Sequence, residues 1–439
     1  MNSTPKSLRL QIGLFGRMNT GKSSLLNYLA GQDVAITAPV PGTTTDVVEK
    51  SMELLPLGPV VFLDTAGLDD RSELGGRRLA RTRAALDRAE VALLVCEPDR
   101  WTPVEAALLA DARDRGVPVI GVVNKCDIAE PQPEVITALD AGCASWMSAS
   151  CLRPEAREST LSAFKERVLG VLAEDAVRVP PLAADLIPGG GLAVMIVPID
   201  LQAPRGRLIL PQVQFLRECL DHDAAVLTVK DREWSAFAAR LDRPPDLVVC
   251  DSQVVLKMVA DTPASVPCTT FSILMARAKG DLPELARGAA AISRLREGDR
   301  VLIAESCSHH ALEDDIGRVK IPRWLRQYTG VPLRIDHVAG RDYPTDLSGY
   351  CLVIHCGSCM LTRRETLRRI HRAREAGVPV TNYGLAISMT QGVLERVLSP
   401  FPEAGWAYRK AAQAPSRWEA RPAPPSAVPA VSPPAKEPI

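Results

Sequence analysis

The sequence predicts an α/β protein with three successive α/β domains and a Pro-rich tail, and three observations carry that reading. At 439 residues the chain exceeds what one hydrophobic core serves, so two or three domains are expected. Short, β-branched apolar runs alternate with amphipathic stretches along most of its length, the pattern of parallel strands joined by helices. Past Trp406 the periodic apolar residues give way to Pro, Ala and Ser, a composition that buries too little to offset its ordering entropy.

In order along the chain, the first domain spans 8–174, with strands at 10–15, 60–63, 91–95 and 117–123. Pro180, Pro181 and Pro188, followed by Gly189, Gly190 and Gly191, mark a boundary. A smaller domain, 188–263, follows, with strands at 193–197, 225–229 and 247–250 and helices at 211–221 and 234–241. The third domain, 264–402, has strands at 300–304, 352–355 and 378–381 and a helix at 362–376. Residues 412–439 are read as disordered tail.

Composition excludes several classes. Hydrophobic residues make up 46%, charged residues 24%, and the formal net charge is zero. Nucleic-acid binding needs clustered Lys and Arg, and only 4% of residues are aromatic, so no nucleic-acid partner is expected. The opening MNSTPKSLRLQIGLFG lacks a signal-peptide pattern, and no apolar run reaches the roughly 18 residues of a membrane span, so a cytoplasmic location without membrane contact is expected. There, eleven cysteines serve as metal ligands, catalytic groups or buried thiols rather than disulfides. Cys96, Cys250, Cys268 and Cys351 fall in or beside apolar runs and read as buried and structural.

The first chemical motif, Gly16-Arg17-Met18-Asn19-Thr20-Gly21-Lys22-Ser23, fits G-x-x-x-x-G-K-[ST] and lies between a strand and a helical pattern. Its backbone N–H groups close around phosphates, Lys22 supplies a cation and the Ser23 hydroxyl ligates Mg²⁺; Thr20, Gly21 and Ser24 complete the nucleotide-binding set. Asp64-Thr65-Ala66-Gly67 ends the next strand, with Asp64 holding Mg²⁺ through water and the Gly67 amide facing the γ-phosphate. Between them lies Pro41-Gly42-Thr43-Thr44-Thr45-Asp46, in the position of a mobile loop. Asn124-Lys125-Cys126-Asp127 fits the guanine-reading N-K-x-D pattern, and Ser148-Ala149-Ser150 follows as a weaker base-supporting segment.

These motifs in this order resemble the small-GTPase superfamily. The resemblance makes Lys22, Thr44, Asp64 and Gly67 the catalytic candidates, with Thr43 and Thr44 closing on the nucleotide and Thr44 on Mg²⁺. Leu68 stands where many signalling GTPases carry a water-orienting glutamine. Asn19 is similar to the residue that holds K⁺ in potassium-activated GTPases of the MnmE type, which implies slow, K⁺-stimulated GTP hydrolysis.

The second constellation is Cys307-Ser308-His309 and His355-Cys356-Gly357-Ser358-Cys359, two clusters at the carboxyl ends of apolar strands. Ligand sites of open α/β sheets collect at that edge. Three thiolates with nearby imidazoles suit either zinc or an iron-sulfur cluster, and ligand type alone does not separate them.

C-x-H, about 45 residues, then H-C-x-x-C, downstream of GTPase motifs, resembles the HydF family of FeFe-hydrogenase maturation scaffolds. That resemblance implies an N-terminal P-loop GTPase domain, a central dimerisation domain and a C-terminal iron-sulfur cluster-binding domain. It implies a 4Fe-4S cluster on Cys307, Cys356 and Cys359, with His309 or His355 at a fourth or exchangeable position. It also implies a diiron precursor as cargo, a homodimer, and partners in the radical-SAM maturases HydE and HydG and in apo-FeFe-hydrogenase. A GTPase of RNA modification or ribosome assembly with a zinc-stabilised C-terminal domain is the alternative.

Overall fold

The apolar runs near the N-terminus become six strands in the computed structural model, which describes residues 9–31, 48–65, 67–68, 75–176, 180–198, 208–306, 315–340 and 343–414. They are β1 (Leu10–Phe15), β2 (Val48–Leu54), β3 (Gly58–Asp64), β4 (Val91–Cys96), β5 (Val119–Val123) and β6 (Ser145–Ser148), in the order β2-β3-β1-β4-β5-β6. Every pairing is parallel except β2 with β3. Successive residues of β4 serve opposite faces: Val91, Leu93 and Val95 join Leu25, Leu26 and Phe164 on one side, whereas Ala92 and Leu94 join Leu86, Leu108 and Leu109 on the other. A sheet buried on both faces explains why its strands read as continuous apolar runs.

The chain divides into two compact units, residues 1–180 with 359–368, and residues 181–358 with 369–439. The second holds two four-stranded, all-parallel sheets. One comprises β7 (Leu192–Ile196), β8 (Ala225–Val229), β9 (Leu247–Cys250) and β10 (Cys268–Thr270), ordered β10-β9-β7-β8. The other comprises β11 (Arg300–Glu305), β12 (Arg334–Ala339), β13 (Leu352–His355) and β14 (Val380–Asn382), ordered β12-β11-β13-β14.

Some expected boundaries move for physical reasons. The runs at 117–123 and 378–381 begin their strands later, at Val119 and Val380, because Pro118 and Pro379 have no N–H to give the ladder; their carbonyls accept from Ala92 and Val353, each at 2.9 Å. The central domain does not end at 263, because β10 pairs in parallel with β9. Thr270 caps the helix Phe271–Lys279 by accepting from the Ile273 amide. In turn Ser272 receives Asn382 Nδ2 on its carbonyl at 2.8 Å and the Gly384 amide on its hydroxyl at 3.1 Å, which binds the two sheets of this unit together. Between 402 and 412, where no domain was assigned, the helix Pro402–Gln413 packs on the helix Leu282–Ala289, and Arg294 Nη2 bonds the Ala414 carbonyl at 2.9 Å. Cys351 is half-buried and precedes β13 rather than lying within it. Among the described residues no helix is long and apolar enough to cross a membrane.

Phe164, 1% exposed on the helix Arg157–Ala176, meets Phe62 of β3 with ring centroids 6.2 Å apart. Phe164→Ala is expected to destabilise the N-terminal unit by about 3–5 kcal/mol, read from the urea midpoint at unchanged slope.

Candidate functional site

The phosphate loop leaves β1 and enters the helix Lys22–Ala30 through two glycines that no other residue replaces. At Gly16 a Cβ would lie 2.2 Å from the Val95 carbonyl oxygen, and at Gly21, with φ +90°, 2.2 Å from Asn124 Nδ2. Lys22 is buried and its Nζ donates to the carbonyls of Gly16 at 2.9 Å and Arg17 at 2.7 Å, folded across the loop that would receive phosphates. Thr20 is fully buried and donates to the Arg17 carbonyl, whereas Asn19 and Ser24 are exposed, Asn19 at φ +61°.

Ser23 Oγ donates to Asp64 Oδ2 at 3.0 Å. Burial raises the Asp64 carboxyl above its ordinary range, against the Ser23 bond and the Lys22 charge. Its other oxygen, Oδ1, is buried with no hydrogen-bond partner among the described residues. A hydroxyl beside a carboxylate with an orphaned oxygen fits a hard divalent cation such as Mg²⁺. The segment after Asp64 is held to the loop: Thr65 Oγ1 donates to the Leu14 carbonyl at 2.6 Å and the Leu68 amide to the Gly16 carbonyl at 3.2 Å, with Gly67 between. Thr43 and Thr44 lie outside the described residues.

The residues expected to read the base follow β5. Asn124 is buried and ties this loop to the phosphate loop, Nδ2 donating to the Thr20 carbonyl at 3.0 Å. Asp127 accepts from Ser150 Oγ at 2.6 Å, which holds its carboxyl below the usual range. Ser150 thus braces Asp127, and the Ala149 carbonyl accepts from the Cys126 amide at 3.2 Å. Lys125, at φ +64°, pairs with Glu97 at 2.6 Å.

Sequence reasoning missed the ion network under both loops. Arg17 is 3% exposed; its Nε donates to Glu105 Oε1 at 2.5 Å and its Nη2 to Glu97 Oε2 at 3.2 Å. Glu105, fully buried, also accepts from the Thr102 amide at 3.0 Å in the capping box of the helix Pro103–Asp114. The T-x-x-E signal of that box was readable, its partner 88 residues away was not.

In the second unit, His355 ends β13 and Cys356 follows it, beside Ala304 of β11, whose carbonyl accepts from the Cys356 amide at 3.0 Å. His355 is 3% exposed, and neither ring nitrogen has a hydrogen-bond partner among the described residues. Burial, with the Arg369 charge, pushes its pKa down to about 3, so the imidazole is neutral and both nitrogens are short of partners. The ring stacks on Tyr343 at 5.3 Å, and the Arg369 and Arg372 guanidinium groups lie 4.9 and 5.3 Å from the centroid of the Tyr343 ring. Cys356 Sγ accepts from the Ser306 amide at 3.1 Å and lies 2.9 Å from its hydroxyl. A neutral, unsatisfied imidazole beside a hydrogen-bonded sulfur fits a soft metal or cluster. Cys359 is half-buried in the turn before the helix Arg363–Glu375. Cys307 and His309 lie outside the described residues, and among the described residues no three metal-binding side chains converge.

Burial pushes Cys96, Cys143 and Cys219 up to about 12, Cys151 and Cys268 up to about 11, and Cys250 well above the ordinary thiol range. Such groups stay protonated and are poor ligands.

Residues 182–280 match the family described as Hydrogen maturase F dimerization domain, 283–400 that described as Hydrogen maturase F tetramerization domain, and 11–125 that described as 50S ribosome-binding GTPase. Curated relatives include the tRNA modification GTPases MnmE of Nitrosospira multiformis, 41% identical over 143 residues (31% of each chain), and of Methylococcus capsulatus, 45% identical over 114 residues (26% of this chain, 25% of the relative). The chain thus spans about a third or less of the length of these relatives. Among solved structures, Aquifex aeolicus Era bound to GDP and AlF4⁻ is 26% identical, covers 35% of this chain and 56% of its own, and has a TM-score of 0.30. Two families named for association are thus matched beyond residue 181, where the sequence reading expected one dimerisation domain.

Arg17→Met leaves Glu105 buried without its cation and is expected to cost about 3–5 kcal/mol, measured by chemical denaturation of the full chain.

Proposed function

We propose, for a chain that belongs to the hydrogen maturase F family, that it is a GTP-hydrolysing scaffold that holds a 4Fe-4S cluster and passes a diiron precursor to apo-FeFe-hydrogenase. The observation that carries this reading is the buried His355 imidazole beside Cys356 at the carboxyl edge of a parallel sheet, both of its ring nitrogens without a hydrogen-bond partner among the described residues. Burying both ring nitrogens without partners costs about 1–3 kcal/mol for each polar group, a cost recovered when the site binds what it is built for.

In the nucleotide site, Lys22 exchanges the Gly16 and Arg17 carbonyls for phosphate oxygens, and Ser23 and Asp64 hold Mg²⁺. Asp127, oriented by Ser150, accepts from guanine, while Asn124 holds the two loops in register. By the GTPase resemblance, Thr44 and Gly67 are assigned to the γ-phosphate and Thr43 to nucleotide binding. Leu68 offers no group to orient water, so charge from a K⁺ held by Asn19 is assigned that part, and hydrolysis is slow without it.

In the metal centre, Cys307, Cys356 and Cys359 hold the cluster, and His355 or His309 occupies a position that the diiron cargo can take. When bound, the cluster supplies an iron site at which cargo docks; the protein's residues orient the thiolates and exclude water. HydE and HydG supply the cargo, nucleotide state times its exchange, and the association domains make the scaffold a homo-oligomer. The alternative as an RNA or ribosome GTPase draws on likenesses confined to the first domain; beyond residue 182 the matches are to maturase domains.

Anaerobically purified full-length chain is expected to contain about four iron and four sulfide per protomer and to give a reduced-cluster EPR signal; one zinc and no iron would remove the scaffold reading. Cys356→Ser should cut bound iron several-fold and leave GTP hydrolysis unchanged. Wild type should hydrolyse GTP about tenfold or more faster in KCl than in NaCl, a step of about 1.4 kcal/mol in barrier. In Asn19→Ala that ratio should fall towards one, and a retained ratio removes Asn19 from K⁺ binding.

A further inference from the structure

We propose that Ser306 is a positioning residue that holds Cys356 Sγ with two hydrogen bonds and thereby raises the reduction potential of the cluster this cysteine ligates. The inference rests on the cluster reading above and adds to it a role for a residue outside the ligand motifs.

The parallel register of β11 and β13 places Ala304 opposite His355, so the residues leaving these strands face each other at the carboxyl edge. The Cys356 amide returns to the Ala304 carbonyl at 3.0 Å, which fixes the cysteine backbone against β11. Ser306 then approaches the same cysteine twice, its amide 3.1 Å and its hydroxyl 2.9 Å from Sγ. As a ligand Cys356 is a thiolate, an acceptor without a proton, so the hydroxyl is the donor. Ser306 is only 8% exposed, and bonds to an ionised sulfur are stronger where water is scarce.

One-electron reduction of a cluster from the 2+ to the 1+ state adds negative charge that its sulfurs share. Donors aimed at a ligating sulfur stabilise the reduced form more than the oxidised form and so raise the potential. Ser306→Ala removes the hydroxyl and keeps the amide. Ser306→Thr keeps both.

The test uses full-length protein reconstituted anaerobically and titrated with dithionite as the one-electron reductant, with the reduced cluster read by EPR. Ser306→Ala is expected to load iron and sulfide as wild type does and to be harder to reduce. At the wild-type midpoint its reduced-to-oxidised ratio should fall about threefold to tenfold, tenfold being about 59 mV for one electron. Ser306→Thr should stay within about twofold of wild type. Exchangeable-proton hyperfine coupling, compared in H2O and D2O, should weaken in the Ala variant and persist in the Thr variant. Equal midpoints for wild type and Ser306→Ala overturn the proposal. If Ser306→Ala does not load, Ser306→Gly is titrated in its place, and failure of both to load while still folded assigns Ser306 a structural role instead. Absence of iron from wild type is a separate result, read before any variant, and sinks the cluster reading itself.

Discussion

Parallel strand pairing is the constraint on which the rest depends. A parallel sheet needs a crossover between neighbouring strands, the crossovers cover both faces, and the carboxyl edge is left as the place where loops can gather polar groups. The chain applies this three times. In the first sheet β1, β3 and β5 end in the phosphate loop, Asp64 and the Asn124 loop. In the last, β11 and β13 end in Ser306 and Cys356, and the same edge geometry that brings Ser23 to Asp64 brings Ser306 to Cys356.

At both edges the protein keeps polar atoms out of water in two distinct ways. Arg17 and Glu105, both buried, and the half-buried Glu97 and Lys125 answer one another, and this stiffens the frame under the nucleotide loops. Asp64 Oδ1 and the two nitrogens of His355 have no answer among the described residues. The first set is structural, and its desolvation is met within the fold. The second is unfinished, and a bound cation or cluster would complete it.

What was legible in the sequence follows from range. The phosphate loop, Asp64 and the Asn124 segment are local patterns between a strand and a helix, and the structure puts them in one unit at adjoining strand ends. The first strand and the runs at 225–229, 247–250 and 352–355 were readable as apolar stretches of strand length. The strand β12 was not, because Arg334, Asp336 and His337 interrupt its apolar residues. β10 was missed because three residues carry no periodicity, and with it went the boundary at 263. In the sites, Ser306 against Cys356 and Glu105 against Arg17 join residues far apart in sequence, and only the folded register brings them together.

Glu105 serves two structures with one carboxylate, starting the helix Pro103–Asp114 and neutralising the arginine of the phosphate loop. A change at position 17 strands an acid in the interior, and a change at position 105 removes one of the arginine's two carboxylates, leaving it Glu97, and frays a helix. A change at either position alone carries the cost of breaking a buried ion pair, so the loop's second residue and a helix some ninety positions away are energetically coupled. That coupling reaches the phosphate loop even though Arg17 itself is no part of the phosphate-binding pattern.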